Sequence, residues 1–388
     1  MTPETSHAAH SQAGRPASPR TPLLRRRTSG SPLALLLLSS LLLAGGCVSQ
    51  TRIAYHGAPS AGVHLASVAG PACPPTAAGI WSAPDGTAWG HALLRLYRAG
   101  SGPSASARAP DALAYVSPAP GPKRWVVVLP IWGASDYPPK KTIRWLLKGN
   151  DGRLTSVLWV QNNRRLLVFD GLARVRTPLE LSRQLARSAA RIDAAASEVE
   201  DLVEWVRRRP DTDQQRIGIV GFSIGAIVGS LIMGRDPRYS AGVFVMVGGD
   251  LGEILGSCYG RERQVRDRAM KLFGWSREEY VLKVNEGLSS VDPERVAGDI
   301  NPASVLYIDA RHDGCIPTVS REGLWEAMGR PERITIAYGH KSSFLSMTFL
   351  GLDVTTRRIV HFLDRRLAEP APPVPAADTA LKSPAQGP

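Results

Sequence analysis

The sequence contains few cysteines, and none of them has a spacing that is typical of a metal site. The four cysteines are Cys47, Cys73, Cys258 and Cys315, and no C-x-x-C pair occurs among them. Structural zinc sites use cysteines or histidines in closely spaced pairs. The sequence therefore predicts no metal centre of this kind.

Other features are also missing. No internal repeat recurs along the 388 residues, and the longest apolar run, Leu33 to Leu43, is too short to span a bilayer. The formal net charge is +13, but the basic residues are not interleaved with aromatic ones as in a nucleic-acid-binding region. We therefore expect no nucleic-acid partner. The charge suits an anionic membrane or anionic substrates, or it reflects an arginine-rich composition alone.

The first 46 residues have the pattern of a targeting segment. Arg25, Arg26 and Arg27 precede the apolar run, which has the length of a signal-peptide core. The run ends in Leu43-Ala44-Gly45-Gly46-Cys47, which resembles a bacterial lipobox. The resemblance implies cleavage before Cys47, diacylglycerol on its thiol, and export to the cell envelope, where the lipid anchors the protein to a membrane. An ordinary secretory signal and an uncleaved anchor are the alternatives.

The remaining sequence indicates an α/β fold. Residues 47–112 are rich in Pro, Gly and Ala, and residues 369–388 are Pro- and Ala-rich, which predicts a disordered tail. Between them, over residues 113–368, short apolar runs alternate with helical patterns. Such runs are typical of strands buried on both faces, so we predict a doubly wound, mainly parallel sheet. The predicted strands are Arg52–Tyr55, ahead of this stretch, and within it Leu113–Val116, Trp125–Leu129, Leu166–Phe169, Ile217–Val220, Val243–Val247, Val305–Ile308 and Ile334–Ala337.

Helices are predicted between these strands and after the last one. Thr177-Pro178-Leu179-Glu180 is a capping box that starts one of them, and Thr356–Leu367 supplies the last. Residues 251–300, between the sixth and seventh predicted strands, are too many for a plain connection. They contain helical stretches at Arg263–Phe273 and Glu278–Val284, which predicts a cap insertion that shapes a pocket. The alternative is a helical segment on the surface that has no functional role.

Reactive residue types follow three of the predicted strands. Ser223 lies in Gly221-Phe222-Ser223-Ile224-Gly225, directly between an apolar strand and a small-residue helix, Ala226 to Met233. Asp313 and His340 follow the last two strands. Active groups of open α/β sheets gather at the carboxyl ends of strands, and a G-x-S-x-G turn presents its serine there. Ser223, Asp313 and His340 are therefore candidate catalytic residues.

This arrangement resembles the α/β-hydrolase superfamily, and dienelactone-hydrolase-like esterases in particular. The serine turn, Asp313 four residues before Pro317, and Gly339-His340 carry the resemblance. It implies that His340 takes the proton of Ser223 and that Asp313 orients His340. It also implies an oxyanion hole formed by the N–H of Ile224 with that of Ile131 or Trp132.

Several alternatives stay open at this point. Asp309 or His312 could replace Asp313 in a shifted register, and some relatives place the acid after the preceding strand, which selects Asp250. Trp132 is equally compatible with core packing. Cys258 and Cys315 fall in loops after neighbouring strands, where a disulfide or two free buried thiols fit.

The sequence thus predicts an exported serine hydrolase that cleaves carboxylic esters of small molecules or lipids through an acyl-enzyme, without metal or organic cofactor. A lipase, thioesterase or peptidase with the same three residues is the alternative enzyme. A non-catalytic surface lipoprotein that uses the fold for binding is the alternative of another class.

Overall fold

The computed structural model describes residues 50–54, 67–68, 90–97, 111–117, 119–134, 137–148, 155–161, 164–349 and 354–368. The predicted targeting segment, Cys47 and the tail from residue 369 lie outside the described residues. Within the described ranges, no helix is both long and apolar enough to cross a membrane.

Ten strands of the described residues form one sheet in the order β10-β9-β8-β7-β5-β6-β4-β3-β1-β2. Neighbouring strands from β10 to β6 are parallel, whereas β4 is antiparallel to both β6 and β3. The strands are β1 Gln50–Ala54, β2 Ser67–Val68, β3 Gly90–Tyr97, β4 Ala112–Val116, β5 Lys123–Val128, β6 Thr155–Val160, β7 Thr212–Phe222, β8 Ala241–Val245, β9 Val305–Ala310 and β10 Glu332–Ile336.

Helices connect the parallel strands. They are α1 Tyr137–Lys148, α2 Phe169–Leu172, α3 Pro178–Arg207, α4 Ile224–Arg235, α5 Leu251–Ser257, α6 Arg261–Phe273, α7 Arg277–Leu288, α8 Thr318–Ala327, α9 His340–Phe349 and α10 Val354–Ala368. The mainly parallel, doubly wound sheet of the α/β-hydrolase fold is confirmed by this arrangement.

The helices cover both faces of the sheet. On β7, Gly218 faces Leu363 of α10, since a Cβ at this glycine would lie 3.3 Å from that side chain. On β8, Gly242 faces Met233 of α4. Gly218 pairs with Ala241, and successive residues of a strand point to opposite faces. Helices α10 and α4 therefore cover opposite faces. Helix α1 packs beside α10, and α3 packs beside α4.

The order in which successive parallel strands are added to the sheet reverses at its middle. From β5 the chain proceeds to β6 on one side, and then returns to β7 on the other side of β5. The loops that follow β5 and β7 consequently diverge to opposite faces and leave a crevice at the carboxyl ends of these strands. Such a switch point is where open α/β sheets bind their ligands.

One predicted strand is wrong. Leu166 and Leu167 form a bend and Phe169 begins α2, and the strand of this region is β6, which pairs with β5 and β4. Leu166 is buried because it packs in the core and lines a cavity, not because it belongs to the sheet. A run of four apolar residues cannot distinguish these two kinds of burial. Strands β2, β3 and β6 were not predicted, and the other predicted strands are confirmed to within a few residues.

The predicted start of α3 is confirmed, with a change in its capping box. Thr177 Oγ1 accepts a hydrogen bond from the N–H of Glu180 at 3.2 Å. The Glu180 carboxylate accepts from the N–H of Arg176 at 2.7 Å rather than from that of Thr177. The reciprocal bond is thus shifted by one residue.

Helices α5, α6 and α7, with short 3₁₀ turns after them, form the insertion between β8 and β9. The two helical stretches predicted there are confirmed. Helix α7 packs against α3 and α5, so the insertion is joined to the body of the fold.

Three carboxylates meet where this insertion contacts the sheet. Asp292 accepts hydrogen bonds from the N–H groups of Leu251 and Glu294, each at 3.0 Å. Burial, with the nearby charges of Asp292 and Asp250, raises the pKa of Glu294 from 4.5 to about 7. Between pH 4.5 and about 7, Glu294 is protonated in the folded chain and ionised in the unfolded chain. The free energy of unfolding therefore falls as the pH rises through this interval.

We predict that Glu294→Gln raises the melting temperature at about pH 8 and changes it little near pH 4. The amide has the shape of the carboxyl group but carries no charge to bury. Glu326→Gln is the control, since Glu326 is an exposed carboxylate that pairs with Arg330. Thermal unfolding across this pH range measures the effect, and an equal gain at both pH values would contradict it.

Candidate active site

Ser223 lies on a strained turn between β7 and α4. Its φ of 52° and ψ of −125° place a non-glycine residue in a sparsely populated backbone region. Its N–H donates to the carbonyl of Val245 at 2.8 Å, which attaches the turn to β8. The side chain is thereby held above the carboxyl end of the sheet.

Two glycines make this turn possible. A Cβ at Gly221 would lie 2.3 Å from the carbonyl oxygen of Gly225, and one at Gly225 would lie 2.4 Å from that of Pro130. Both obstacles are backbone atoms and cannot rotate aside. The first glycine lets α4 start next to the strand, and the second lets the loop after β5 approach the turn.

Ser223, His340 and Asp313 form a series of hydrogen bonds. Ser223 Oγ lies 3.0 Å from His340 Nε2, and His340 Nδ1 lies 2.7 Å from Asp313 Oδ2. The Asp313 side chain is fully buried and that of His340 is 11% exposed. Three residues that are far apart in sequence are thus brought together at the ends of β7, β9 and β10.

The backbone of its own loop holds Asp313. Its Oδ1 accepts hydrogen bonds from the N–H groups of Cys315 and Ile316, both at 2.8 Å. These bonds leave Oδ2 directed at His340. A carboxylate held at both oxygens is fixed in orientation.

The alternative acids lie elsewhere. Asp309, on β9, forms ion pairs with Arg333 at 2.5 Å and Arg321 at 3.7 Å. His312 is exposed, and its N–H donates to the carbonyl of Tyr338. Asp250 caps α5 by accepting from the N–H of Glu253 at 3.0 Å. Of the acidic candidates named from the sequence, the structure brings Asp313 to His340.

His340 begins helix α9, and the loop before it is closely packed. A Cβ at Gly339 would lie 2.9 Å from the carbonyl oxygen of His312, so this glycine lets the histidine loop pass against the acid loop. The ring of Phe344 meets that of His340 edge to face, with 5.3 Å between the centroids. The imidazole is therefore held from two sides.

Backbone donors lie beside Ser223. Ile224 is the first residue of α4, and the first N–H groups of a helix have no partner within it. The loop after β5 turns at Ile131, whose carbonyl accepts from the N–H of Ala134 at 2.9 Å. Ile131, Trp132, Ser223 and Ile224 all line one cavity. Trp132 is also buried in the core, and its role as an oxyanion donor stays a prediction.

The cavity has a volume of about 810 Å³ and opens onto Ser223 and His340. Its walls come from the loop after β5, the bend before α2, the helix α4 and the insertion. Most of the lining side chains are apolar, and they include Ile131, Trp132, Leu166, Leu167, Phe169, Ile227, Ile254, Leu255, Ile316 and Phe344. A cavity of this size and character suits an apolar organic group.

The insertion is bonded to the acid loop. Cys258, at the end of α5, forms a disulfide with Cys315, two residues after Asp313. The next residue, Tyr259, lies beside Gly314 and under the ammonium group of Lys341, whose Nζ is 4.6 Å from the ring centroid. Burial raises the pKa of Tyr259, and the nearby Asp313 charge raises it further. One segment thus contacts the loops of both Asp313 and His340.

Some of these residues were not identified from the sequence. The cavity walls from the bend at 166–169, and the contacts of Tyr259 with Lys341, join positions that are distant along the chain. No local pattern marks Tyr259 beyond its place after a cysteine. The sequence left the pairing of Cys258 and Cys315 open. Among the described residues, no group of three or more His, Cys, Asp or Glu is arranged to hold a metal.

No protein-family model matches the chain, and no curated protein matches it either. Solved structures similar to it include the acetyl xylan esterase from Paenibacillus sp. R4, with 14% identity and a TM-score of 0.46 over 88% of this chain and 96% of that one. Another is an esterase of Pyrococcus furiosus, with 16% identity and a TM-score of 0.41 over 66% and 85%. A third is acetyl xylan esterase 1 from Thermoanaerobacterium sp. JW/SL YS485, with 15% identity and a TM-score of 0.46 over 65% and 78%.

Proposed function

We propose that this protein is a serine hydrolase that cleaves carboxylic esters through an acyl-enzyme intermediate. The observation that carries the proposal is the hydrogen-bond series from Ser223 through His340 to Asp313, which opens into an apolar cavity. A serine hydroxyl is a weak nucleophile at neutral pH unless a base takes its proton. His340 Nε2 is within hydrogen-bond distance of that proton.

The first half of the reaction forms the acyl-enzyme. Ser223 Oγ attacks the ester carbon as its proton passes to His340 Nε2, and the carbonyl oxygen becomes an oxyanion. The N–H of Ile224 and that of Ile131 or Trp132 donate to this oxyanion. When the carbon–oxygen bond to the alcohol breaks, the imidazolium returns its proton to the leaving alkoxide. The alcohol departs, and the acyl group stays on Ser223.

The second half releases the acid. A water molecule takes the place of the alcohol, gives a proton to His340 Nε2 and attacks the acyl carbon. The tetrahedral intermediate collapses, the proton returns to Ser223 Oγ, and the carboxylic acid leaves. In both halves Asp313 accepts the Nδ1–H of His340 and stabilises the positive charge on the ring.

An ester with an apolar acyl group is the substrate class that the cavity favours. The side chains around Ser223 are mainly aliphatic or aromatic, so burial of a hydrocarbon chain is favourable there. A lipase, a thioesterase or a peptidase would use the same three residues with a different leaving group. A non-catalytic protein that binds an apolar ligand in this cavity is the alternative of another class.

We predict that Ser223→Ala abolishes labelling by a fluorophosphonate probe and lowers ester hydrolysis by about 10³-fold or more. The probe reacts with an activated serine hydroxyl, which the variant lacks. Ser240→Ala, at the start of β8 and remote from the cavity, serves as the matched control and should label like the parent. Gel fluorescence and nitrophenyl ester hydrolysis measure the two effects.

Equal labelling of Ser223→Ala and the parent would exclude Ser223 as the nucleophile. A parent that does not label at all, while binding apolar ligands in the cavity, would favour the non-catalytic alternative.

We also predict that activity increases with the acyl chain length of nitrophenyl esters. Each buried methylene contributes about 0.8 kcal/mol, so kcat/KM should rise about fourfold per added carbon until the cavity is filled. Leu255→Trp narrows the cavity without touching the hydrogen-bond series, and it should shift the preference to shorter chains. An unchanged preference in this variant would show that the acyl group lies elsewhere.

We further propose that the protein is exported and anchored to a membrane by diacylglycerol on Cys47. The support for this anchor comes from the sequence, namely the arginine cluster, the apolar run and the residues before Cys47.

For this anchor, Cys47→Ser should move the protein from the detergent phase to the aqueous phase in a Triton X-114 partition. Cys73→Ser is the control and should partition like the parent. If Cys47→Ser stays in the detergent phase, the protein is held by an uncleaved segment or by other contacts instead.

A further inference from the structure

The excess positive charge of the chain is concentrated in two helices. Helix α1 contains four basic residues and no acidic one, and α10 contains four basic residues and one acidic residue. The helices are 12 and 15 residues long. Together they carry more than half of the formal net charge of +13. An even spread of arginine and lysine over the chain does not produce such a concentration.

These two helices lie side by side on one face of the sheet, because α1 packs against α10. Arg144 and Lys148 of α1 and Arg357 and Arg358 of α10 are exposed, and none of them forms an ion pair among the described residues. Several other arginines of the fold are paired with carboxylates, as Arg235 is with Asp193. We call the exposed set Lys140, Arg144, Lys148, Arg357 and Arg358 the basic face.

A groove at the edge of this face suits an anionic group. It has a volume of about 570 Å³ and lies between α10 and the edge strand β10. Arg357, Arg358, His361 and Arg365 line it, with Glu332 as its one carboxylate. Glu332 pairs with Arg365 at 2.9 Å, which leaves the charges of the other two arginines uncompensated within the groove.

We propose that the basic face docks on the anionic phospholipid headgroups of a membrane. Cations held near such a surface are attracted by its negative potential, and their contributions accumulate over the face. The helix that carries part of this face also reaches the cavity, since Tyr137 and Pro138 at the start of α1 line the cavity wall. Docking therefore places the cavity mouth close to the lipid surface. This inference does not depend on ester hydrolysis.

Phospholipid rather than nucleic acid is favoured by two observations. The basic residues of α1 and α10 are presented on packed helices at the side of a sheet, and Tyr137, the exposed aromatic residue of α1, lines the cavity and does not form a row of stacking platforms with them. The targeting segment predicted from the sequence also implies a position at a membrane. Both point to headgroup phosphates as the anionic partner.

The test compares the binding of the full chain to phosphatidylcholine vesicles with and without phosphatidylglycerol. An anchor or an apolar N-terminal segment contributes to both kinds of vesicle, whereas the basic face contributes only to the anionic kind. The variants are Arg144→Gln with Lys148→Gln, and Arg357→Gln with Arg358→Gln. The control is Arg183→Gln with Arg187→Gln, which removes the same charge from exposed positions on α3, on the opposite face.

We expect each basic-face variant to lose on the order of tenfold or more of the preference for anionic vesicles, since one cation near such a surface contributes about fivefold. The control variant should keep most of the preference for anionic vesicles. Added salt should remove the difference between the parent and the basic-face variants. Equal losses in all three variants would overturn the proposal, because net charge alone would then explain the binding. Tighter binding to duplex or single-stranded nucleic acid than to anionic vesicles, lost in the basic-face variants, would also overturn it.

Discussion

The turn at Ser223 is the constraint on which the arrangement of the site depends. It holds a non-glycine residue at a φ of 52°, a conformation that costs on the order of 1–3 kcal/mol. The buried strand β7 and the buried helix α4 on either side hold the turn in place. Because Gly225 lies against the carbonyl of Pro130, the same turn fixes the distance between Ser223 and the loop after β5. The candidate nucleophile and the candidate oxyanion donors are therefore positioned by one packing contact.

The insertion after β8 has a structural connection to this site. Its first helix supplies apolar walls of the cavity, and the segment of Cys258 and Tyr259 contacts the loops that hold Asp313 and His340. The walls of the cavity and the orientation of the acid loop are thus linked through one short stretch of chain. A change in the insertion that alters the cavity also acts on the loop that orients His340.

Partners in three dimensions decide which carboxylate can serve the site. Asp309 and Asp313 lie four residues apart, but they have different partners. Asp309 forms ion pairs with Arg321 and Arg333. Asp313 accepts hydrogen bonds from two backbone N–H groups, and its other oxygen is directed at His340. Partners also distinguish the cations. Several arginines lie beside carboxylates that compensate their charge, whereas α1 and α10 carry more than half of the net charge of the chain.

The sequence by itself determined the order of most strands and helices and the strained serine turn, and it named Ser223, Asp313 and His340 as candidates while Asp309 and Asp250 stayed open as alternative acids. These features are local, since strand burial, a strand–turn–helix transition and a residue at the end of a strand each depend on adjacent positions. The parallel sheet then places such residues at one edge. The sequence could not distinguish Leu166–Phe169 from a strand, because burial in a cavity wall and burial in a sheet require the same apolar residues. The tertiary structure alone decided between Asp313, Asp309 and Asp250, joined Cys258 to Cys315, formed the cavity and gathered the basic residues of α1 and α10 on one face. Each of these depends on contacts between residues far apart in the chain, which packing creates and local sequence does not encode.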